Sequence, residues 1–133
     1  MVFERTKKYS NIKVKEEELT LYIAKINALM KEKKPFLDND FTLAKLSKGV
    51  SMPLYLTSHV LNEGLNTNFS DYINSFRIEE SKELLVSQEY KHIKISEIAF
   101  QCGFNSLSTF NSHFKRSNNS TPSQYRNSHY SSD

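Results

Sequence analysis

Several residue types are scarce in this sequence of 133 residues. There is one cysteine, Cys102, which excludes an internal disulfide and suits a reducing compartment. Because only 3 glycines and 3 prolines interrupt a chain rich in Leu, Ile, Lys and Glu, we predict an all-α fold. No apolar run approaches the roughly 18 to 20 residues of a membrane span, and no signal-peptide core is present. We therefore expect a soluble, cytoplasmic chain.

The motifs of enzymatic chemistry are also missing. The four histidines have no metal-ligand spacing, no histidine partners Cys102 in a recognised motif, and there is no Gly-rich phosphate loop. We predict no enzyme activity, no metal and no cofactor. Cys102 is interpreted as a small core residue, with a redox role as the alternative.

The overall charge sets a weaker limit. A net charge of +3 and a pI of about 8.9 permit a nucleic-acid partner, although many ordinary proteins are equally basic. Hydrophobic residues make up 38% of the chain, which is enough for a globular core and argues against disorder.

The segment from Ile95 to Lys115 has the pattern of a helix, a tight turn and a second helix. Gly103 is suited to the left-handed backbone of the turn, and Phe104 follows as its apolar plug. Phe110 and Phe114 form the buried stripe of the second helix, which Asn105 or Ser106 caps. This is the helix-turn-helix unit, whose second helix can lie in the major groove of DNA.

A second copy of this pattern precedes it by about 50 residues. Leu46 and Ser47 correspond to Ile98 and Ala99, and Thr57 and Leu61 correspond to Phe110 and Phe114. The later turn is one residue longer, and Ser51 stands at the glycine position. Because Thr57 replaces a large apolar residue, we expect its methyl to be buried and its hydroxyl to bond a carbonyl one turn back.

The rest of the chain divides into helices and connectors. We predict an amphipathic helix over 16–33 that packs on the domain, with a dimer seam as the alternative, and a long linker helix over 71–86 capped by Ser70. Thr121 caps a last helix. The predicted divisions are a lead-in and helix (1–34), first unit (35–69), linker helix (70–88), second unit with C-terminal helix (89–128) and frayed tail (129–133). The lysines of the lead-in belong to a solvated linker or a phosphate-binding arm.

Residues 35 to 127 closely resemble the C-terminal domain of AraC/XylS-type transcription regulators. The resemblance is carried by Ile98-Ala-x-x-Cys-Gly-Phe104, by Phe110-x-x-x-Phe-Lys115 and by Thr121-Pro-Ser-Gln-Tyr-Arg126. It implies two helix-turn-helix units joined by a linker helix that fixes their separation, and Arg77 to Ser81 resembles the motif of that helix. It also implies double-stranded DNA as the partner.

The faces of the two second helices that lie opposite the predicted core supply the candidate base-reading residues. Asn can pair with adenine, Ser with several bases, and Leu or Tyr with a thymine methyl. The family usually has Arg where Ser112 stands, which implies fewer guanine contacts. Lys115 and Arg116 are candidates for phosphate contacts, as are Lys45 and Lys48 near the first unit. The candidate DNA-binding residues are Leu54, Tyr55, Ser58, His59, Asn62, Ser106, Leu107, Ser108, Asn111, Ser112, Lys115 and Arg116.

Other partners follow from the resemblance. Such regulators usually carry a separate sensing or dimerising domain, so we expect the chain to be either the output end of a larger regulator, such as the cytoplasmic part of a membrane-bound receptor, or a stand-alone regulator. RNA polymerase is the expected partner of an activator, and a homodimer through the N-terminal region or a missing domain is also open. No small-molecule site is expected. The alternative function is a helical protein-interaction module without specific DNA binding.

Overall fold

Seven α-helices build the described part of the protein. The computed structural model describes residues 14–130, which contain no strand. The helices are α1 (Glu16–Lys33), α2 (Leu43–Gly49), α3 (Leu54–His59), α4 (Phe69–Val86), α5 (Ile95–Gln101), α6 (Leu107–Asn118) and α7 (Pro122–Tyr130). The predicted all-α class is confirmed. Most of the lead-in and the last three residues of the predicted tail lie outside the described residues.

The chain forms two compact units. The first contains α1, α2, α3 and the start of α4, and the second contains the rest of α4 with α5, α6 and α7. The connector 35–41, with its 3₁₀ turn Pro35–Leu37, belongs to the second unit, although the sequence-based division placed it in the first.

Helix α1 packs on the first unit through its apolar face, as predicted. Ile26 and Met30 are fully buried, and the Cδ1 atom of Ile23 lies within 2.9 Å of the point where Gly64 would carry a Cβ. The helix ends as Lys34 adopts the left-handed conformation and donates its backbone N–H to Met30.

Some predicted helix ends are wrong. Ser70 is not the cap of α4, because the helix starts at Phe69 and the side chain of Asn68 accepts the N–H of Asp71 at 2.8 Å. The preference of proline for the first helical position predicts that Pro53 opens α3, but Pro53 is its N-cap. Helix α7 continues to Tyr130, so part of the predicted tail is helical. In each case the competing cap lies within two residues of the predicted one, where sequence patterns discriminate poorly.

The core of the second unit is built from helices α4, α5 and α6. Phe110 and Phe114 are fully buried and contact each other with ring centroids 5.7 Å apart. Tyr125 of α7 packs edge-on against Phe114 with ring centroids 5.5 Å apart. The other buried members of this cluster are Ile78, Leu85, Ile98, Ala99, Cys102 and Phe104.

Two buried hydroxyl groups in the first unit allow a matched prediction. Thr57 is fully buried and donates to the carbonyl of Pro53 at 3.0 Å, as expected, whereas the Oγ of Ser47 has no hydrogen-bond partner within residues 14–130. We predict that Ser47→Ala stabilises the protein by about 1 kcal/mol, because it removes an unsatisfied buried group, and that Thr57→Val costs about 1 kcal/mol. Urea unfolding of both variants checks this, and destabilisation by Ser47→Ala would count against it.

Candidate nucleic-acid interface

The turn between α5 and α6 fixes the start of the helix that carries most of the candidate residues. Gly103 has a φ of +102°, and a Cβ atom there would lie 2.2 Å from the carbonyl oxygen of Phe36. The N–H of Phe104 bonds the carbonyl of Ala99 at 3.0 Å, which closes the end of α5. The hydroxyl of Ser106 then accepts the N–H of Thr109 and caps α6, as predicted.

The turn between α2 and α3 has the same hydrogen-bond pattern. Ser51 has a φ of +55° at the position of Gly103, and the N–H of Met52 bonds the carbonyl of Ser47 at 2.9 Å. Helix α3 begins one residue sooner after its turn than α6 does. The internal repeat predicted from the sequence, including its longer second turn, is confirmed.

Helix α6 presents one buried and one exposed face. With Phe110 and Phe114 inward, the outer face carries the candidate residues, and Leu107 retains 45% of its surface exposed. Every candidate on this helix is exposed, together with its cap: Ser106, Leu107, Ser108, Asn111, Ser112, Lys115 and Arg116. The arrangement places polar, apolar and cationic groups side by side on one helical face.

Helix α3 presents the corresponding face of the first unit. Leu54 and Tyr55 are 53% and 54% exposed, and Asn62 is also exposed. Ser58 and His59 are half-buried, and the amide of Asn62 approaches the hydroxyl of Ser58 at 3.5 Å. The face is thus more apolar and less accessible than its counterpart on α6.

A π-helical turn, Val60–Gly64, follows α3, although the sequence pattern predicts one helix from Pro53 to about Glu63. The turn contains Asn62 and Glu63, which correspond by the repeat to Lys115 and Arg116 of α6. The first helix therefore has an amide and a carboxylate where the second has two cations. Exposed cations near the first unit are instead found on α2, at Lys45 and Lys48.

Two arginines hold the second unit together through backbone carbonyls, and the sequence analysis did not predict these contacts. The guanidinium of Arg77 on α4 donates to the carbonyls of Phe36 and Asp38, at 2.7 and 3.1 Å, and so ties the connector to the second unit. Burial lowers the pKa of Arg77, and the carboxylate of Asp38 opposes this shift. Arg126 on α7 donates to three backbone carbonyls. Both arginines lie inside quoted motifs, but a motif alone does not show a contact about 40 residues away.

The side chain of Cys102 is fully buried in the core of the second unit. Burial raises the pKa of its thiol to about 12, and the charge of Glu80 adds to this shift. A neutral, enclosed thiol is poorly suited to redox chemistry, which supports the interpretation as a core residue. Within residues 14–130 no cluster of three or more potential metal ligands exists, and no helix there is long and apolar enough to cross a membrane.

Comparisons with known proteins identify the class. A family model described as a helix-turn-helix domain matches residues 46–128. The chain is 31% identical to the solved C-terminal domain of the response regulator yesN from Fusobacterium nucleatum, covering 76% of this chain and 93% of that one with a TM-score of 0.63. The chain therefore belongs to the AraC-type helix-turn-helix family, a family of transcription regulators and not of enzymes. The resemblance seen in the sequence is confirmed.

Two further relatives put this domain in context. An uncharacterised helix-turn-helix transcriptional regulator of Escherichia coli, YijO, is 27% identical over 108 residues, which are 78% of this chain and 37% of that protein. The chain thus spans little more than a third of that regulator. The solved DNA-binding domain of AdpA, in complex with a target DNA, has the same fold, with a TM-score of 0.67 at 21% identity over 81% of this chain and 92% of that one.

Proposed function

We propose that this chain is the output domain of a transcription regulator and binds double-stranded DNA in a sequence-specific manner. In this proposal α3 and α6 enter successive major-groove segments about one helical turn, or ~34 Å, apart along the DNA. The observation that carries it is the repeated turn geometry, which presents an exposed polar helix face at equivalent places in both units. Membership of a DNA-binding regulator family gives independent support.

On α6 the side chains suit hydrogen-bonded readout. Asn111 is exposed on α6 and can pair with the two hydrogen-bonding atoms of adenine, and Ser108 and Ser112 are exposed on the same helix. Lys115 and Arg116, at the C-terminal end of the same face, are proposed to contact phosphates. The hydroxyl of Ser106 is already used as a cap, so its part in binding is limited to the start of the helix.

On α3 the side chains suit apolar readout. Leu54 and Tyr55 stand exposed in the first turn, which is the part of a recognition helix that reaches base edges, and we propose that they contact thymine methyl groups. Ser58, His59 and Asn62 then supply the polar contacts of the first unit. Lys45 and Lys48 on α2 would hold the adjacent phosphates.

A protein-interaction module is the second candidate. The exposure of Leu54, Tyr55 and Leu107 favours it, because large apolar side chains at a surface often mark docking sites. Salt separates the two functions. With roughly four phosphate contacts, DNA affinity should fall on the order of 100-fold between about 50 and 200 mM salt, whereas apolar docking should change little.

The regions beyond this domain carry further proposals. Because the chain spans 37% of its E. coli relative, we propose that it works within a larger regulator that supplies sensing or dimerisation. RNA polymerase as a partner, a homodimer, and a cytoplasmic location, including the cytoplasmic end of a membrane-bound receptor, stay proposals of the same kind.

The experiment that tests the proposed function is selection from random double-stranded DNA by the purified chain at near-physiological salt. Two enriched sequence blocks about one helical turn apart are expected. A single block would limit sequence reading to one unit and contradict the bipartite mode. No enrichment by a chain shown to be folded by circular dichroism would contradict specific DNA binding by this chain and favour the interaction module.

A further inference from the structure

Four side chains of the second unit form a hydrogen-bonded row that ends on the outer face of α6. The Nη1 of Arg77 lies 3.3 Å from the Oδ1 of Asn74, and the Nδ2 of Asn74 lies 3.2 Å from the Nε2 of His113. The Nδ1 of His113 in turn lies 2.8 Å from the Nη2 of Arg116. Asn74 is only 6% exposed and His113 is half-buried, so the row leads from the interior to an exposed cation.

The donors and acceptors of this row cannot all be matched at once. The two guanidinium groups at its ends only donate. A neutral imidazole offers one donor and one acceptor, and the Asn74 amide accepts at its oxygen edge and donates at its nitrogen edge. If Arg77 donates to Asn74, the amide donates to Nε2 of His113, and Nδ1 then carries a proton that faces Arg116. If Arg116 donates to Nδ1, Nε2 carries the proton, and the amide must turn its oxygen away from Arg77.

The other contacts of Arg77 show which of the two hydrogen bonds, Arg77–Asn74 or Arg116–His113, is given up at the lower cost. Its guanidinium keeps bonds of 2.7 and 3.1 Å to two carbonyls of the connector 35–41, so it loses one contact of three when Asn74 turns. The bond between Arg116 and His113 is the shortest in the row and is charge-assisted. The second arrangement is therefore favoured.

We propose that His113 is a positioning residue for Arg116: with its proton on Nε2, it accepts a hydrogen bond at Nδ1 and holds the guanidinium on the outer face of α6, ready for a phosphate. Asn74, which lies on α4, turns its oxygen to accept from Nε2 of His113 and so supports the tautomer that holds Arg116. This inference rests on the proposed DNA-binding function. It gives His113, which is not among the candidate DNA-binding residues, an indirect role in DNA binding.

The tautomer is tested by nitrogen-15 NMR of the imidazole ring of His113 at about pH 8, where an ordinary histidine is neutral. The parent chain should show a proton on Nε2. In Arg116→Met, Nδ1 loses its donor, so Asn74 can again donate to Nε2 and the proton should move to Nδ1. His113→Asn identifies the signal by its loss. The same tautomer in the parent and in Arg116→Met would overturn the competition between the two ends.

Binding to the selected DNA tests the positioning role. His113→Leu and Arg116→Met should each weaken binding about 3- to 10-fold, and the double variant should be no weaker than either single one. His113→Asn, which keeps an acceptor near the position of Nδ1, should restore most of the affinity. A purely structural histidine would give additive losses and no rescue, and that outcome would overturn the proposal.

The failure of the inference and that of the proposed function can be told apart. If the parent chain binds DNA but the losses are additive, the positioning role of His113 is wrong while the proposed function stands. If the parent chain binds no DNA, the proposed function and the phosphate role of Arg116 both fail, and the NMR comparison still decides whether Asn74 and Arg116 compete for His113.

Discussion

Gly103→Ala is expected to destabilise the second unit by at least about 3 kcal/mol. A φ of +102° is a region that residues with a Cβ rarely adopt, and such strain alone costs of order 1–3 kcal/mol. The added Cβ would also lie 2.2 Å from the carbonyl oxygen of Phe36 and 2.7 Å from the Nε of Arg77. Either the turn or the connector would have to move. Urea unfolding followed by circular dichroism measures the change, and an unchanged midpoint would contradict the geometry of the turn.

Ser51→Gly is the matched control for that variant. Ser51 occupies the equivalent turn of the first unit with a φ of +55°, which is the left-handed conformation. Glycine relieves a cost of about 1–2 kcal/mol there and adds about 0.5–1 kcal/mol of backbone entropy to the unfolded state. The variant should therefore be neutral or more stable by up to about 1 kcal/mol. A loss at Gly103 much larger than the gain at Ser51 would show that the closeness of Phe36 and Arg77, and not the backbone conformation alone, sets the cost.

Arg126→Met is expected to cost about 2–4 kcal/mol. The guanidinium of Arg126 donates to the backbone carbonyls of Leu85, Ile93 and Tyr90, at 3.2, 2.7 and 3.0 Å. It thereby joins α7 to the end of α4 and to the loop that precedes α5. Hydrogen bonds from a charged donor contribute about 1.5–3 kcal/mol each, and three carbonyls would lose their partner together. Some of them would gain water, so the total falls below the sum.

Arg116→Met provides the comparison for Arg126→Met, because it makes the same chemical change on an exposed helix face. Its bond to His113 is exposed to water, so its effect on stability should stay within about 1 kcal/mol. Thermal and urea unfolding of the two variants separate the effects. Equal stability of the two would show that the three carbonyl contacts of Arg126 contribute little to the folded state.

Local patterns were sufficient to predict most of the fold. The periodic apolar residues of α1 and α6 predicted those helices, and the short-range chemistry of Ser106, Thr57 and Thr121 predicted the hydrogen bonds that these side chains make. These interactions span three or four residues, so the sequence contains both partners. The cap of α4 was misassigned since Asn68 and Ser70 are both good caps, and packing decides between them.

The rest of the fold depends on contacts that are distant in the sequence. The connector 35–41 belongs to the second unit through Arg77, about 40 residues away, and no local pattern indicates that. The π-helical turn after α3 also escaped prediction. The π-helical turn ends at Gly64, which packs against α1. A side chain at this position would collide with Leu19 and Ile23, so the position needs a glycine.

The candidate site was predictable as a face but not in its details. Once Phe110 and Phe114 were assigned to the core, helical geometry alone determined which side chains point outward on α6. The partial burial of Ser58 and His59 and the row that leads to Arg116 are products of tertiary packing. The assignment of individual bases to individual side chains stays a prediction.

A base-by-base binding scan of Asn111→Ala and Lys115→Ala tests the central claim, that the outer face of α6 reads DNA sequence, most directly. On the selected target and its single-base variants, Asn111→Ala should lose about 1–3 kcal/mol of discrimination at one base pair and little elsewhere. Lys115→Ala should weaken all sequences alike and reduce the salt slope by about 1. If Asn111→Ala left every base preference unchanged while the protein stayed folded, α6 would not be reading the DNA through this face.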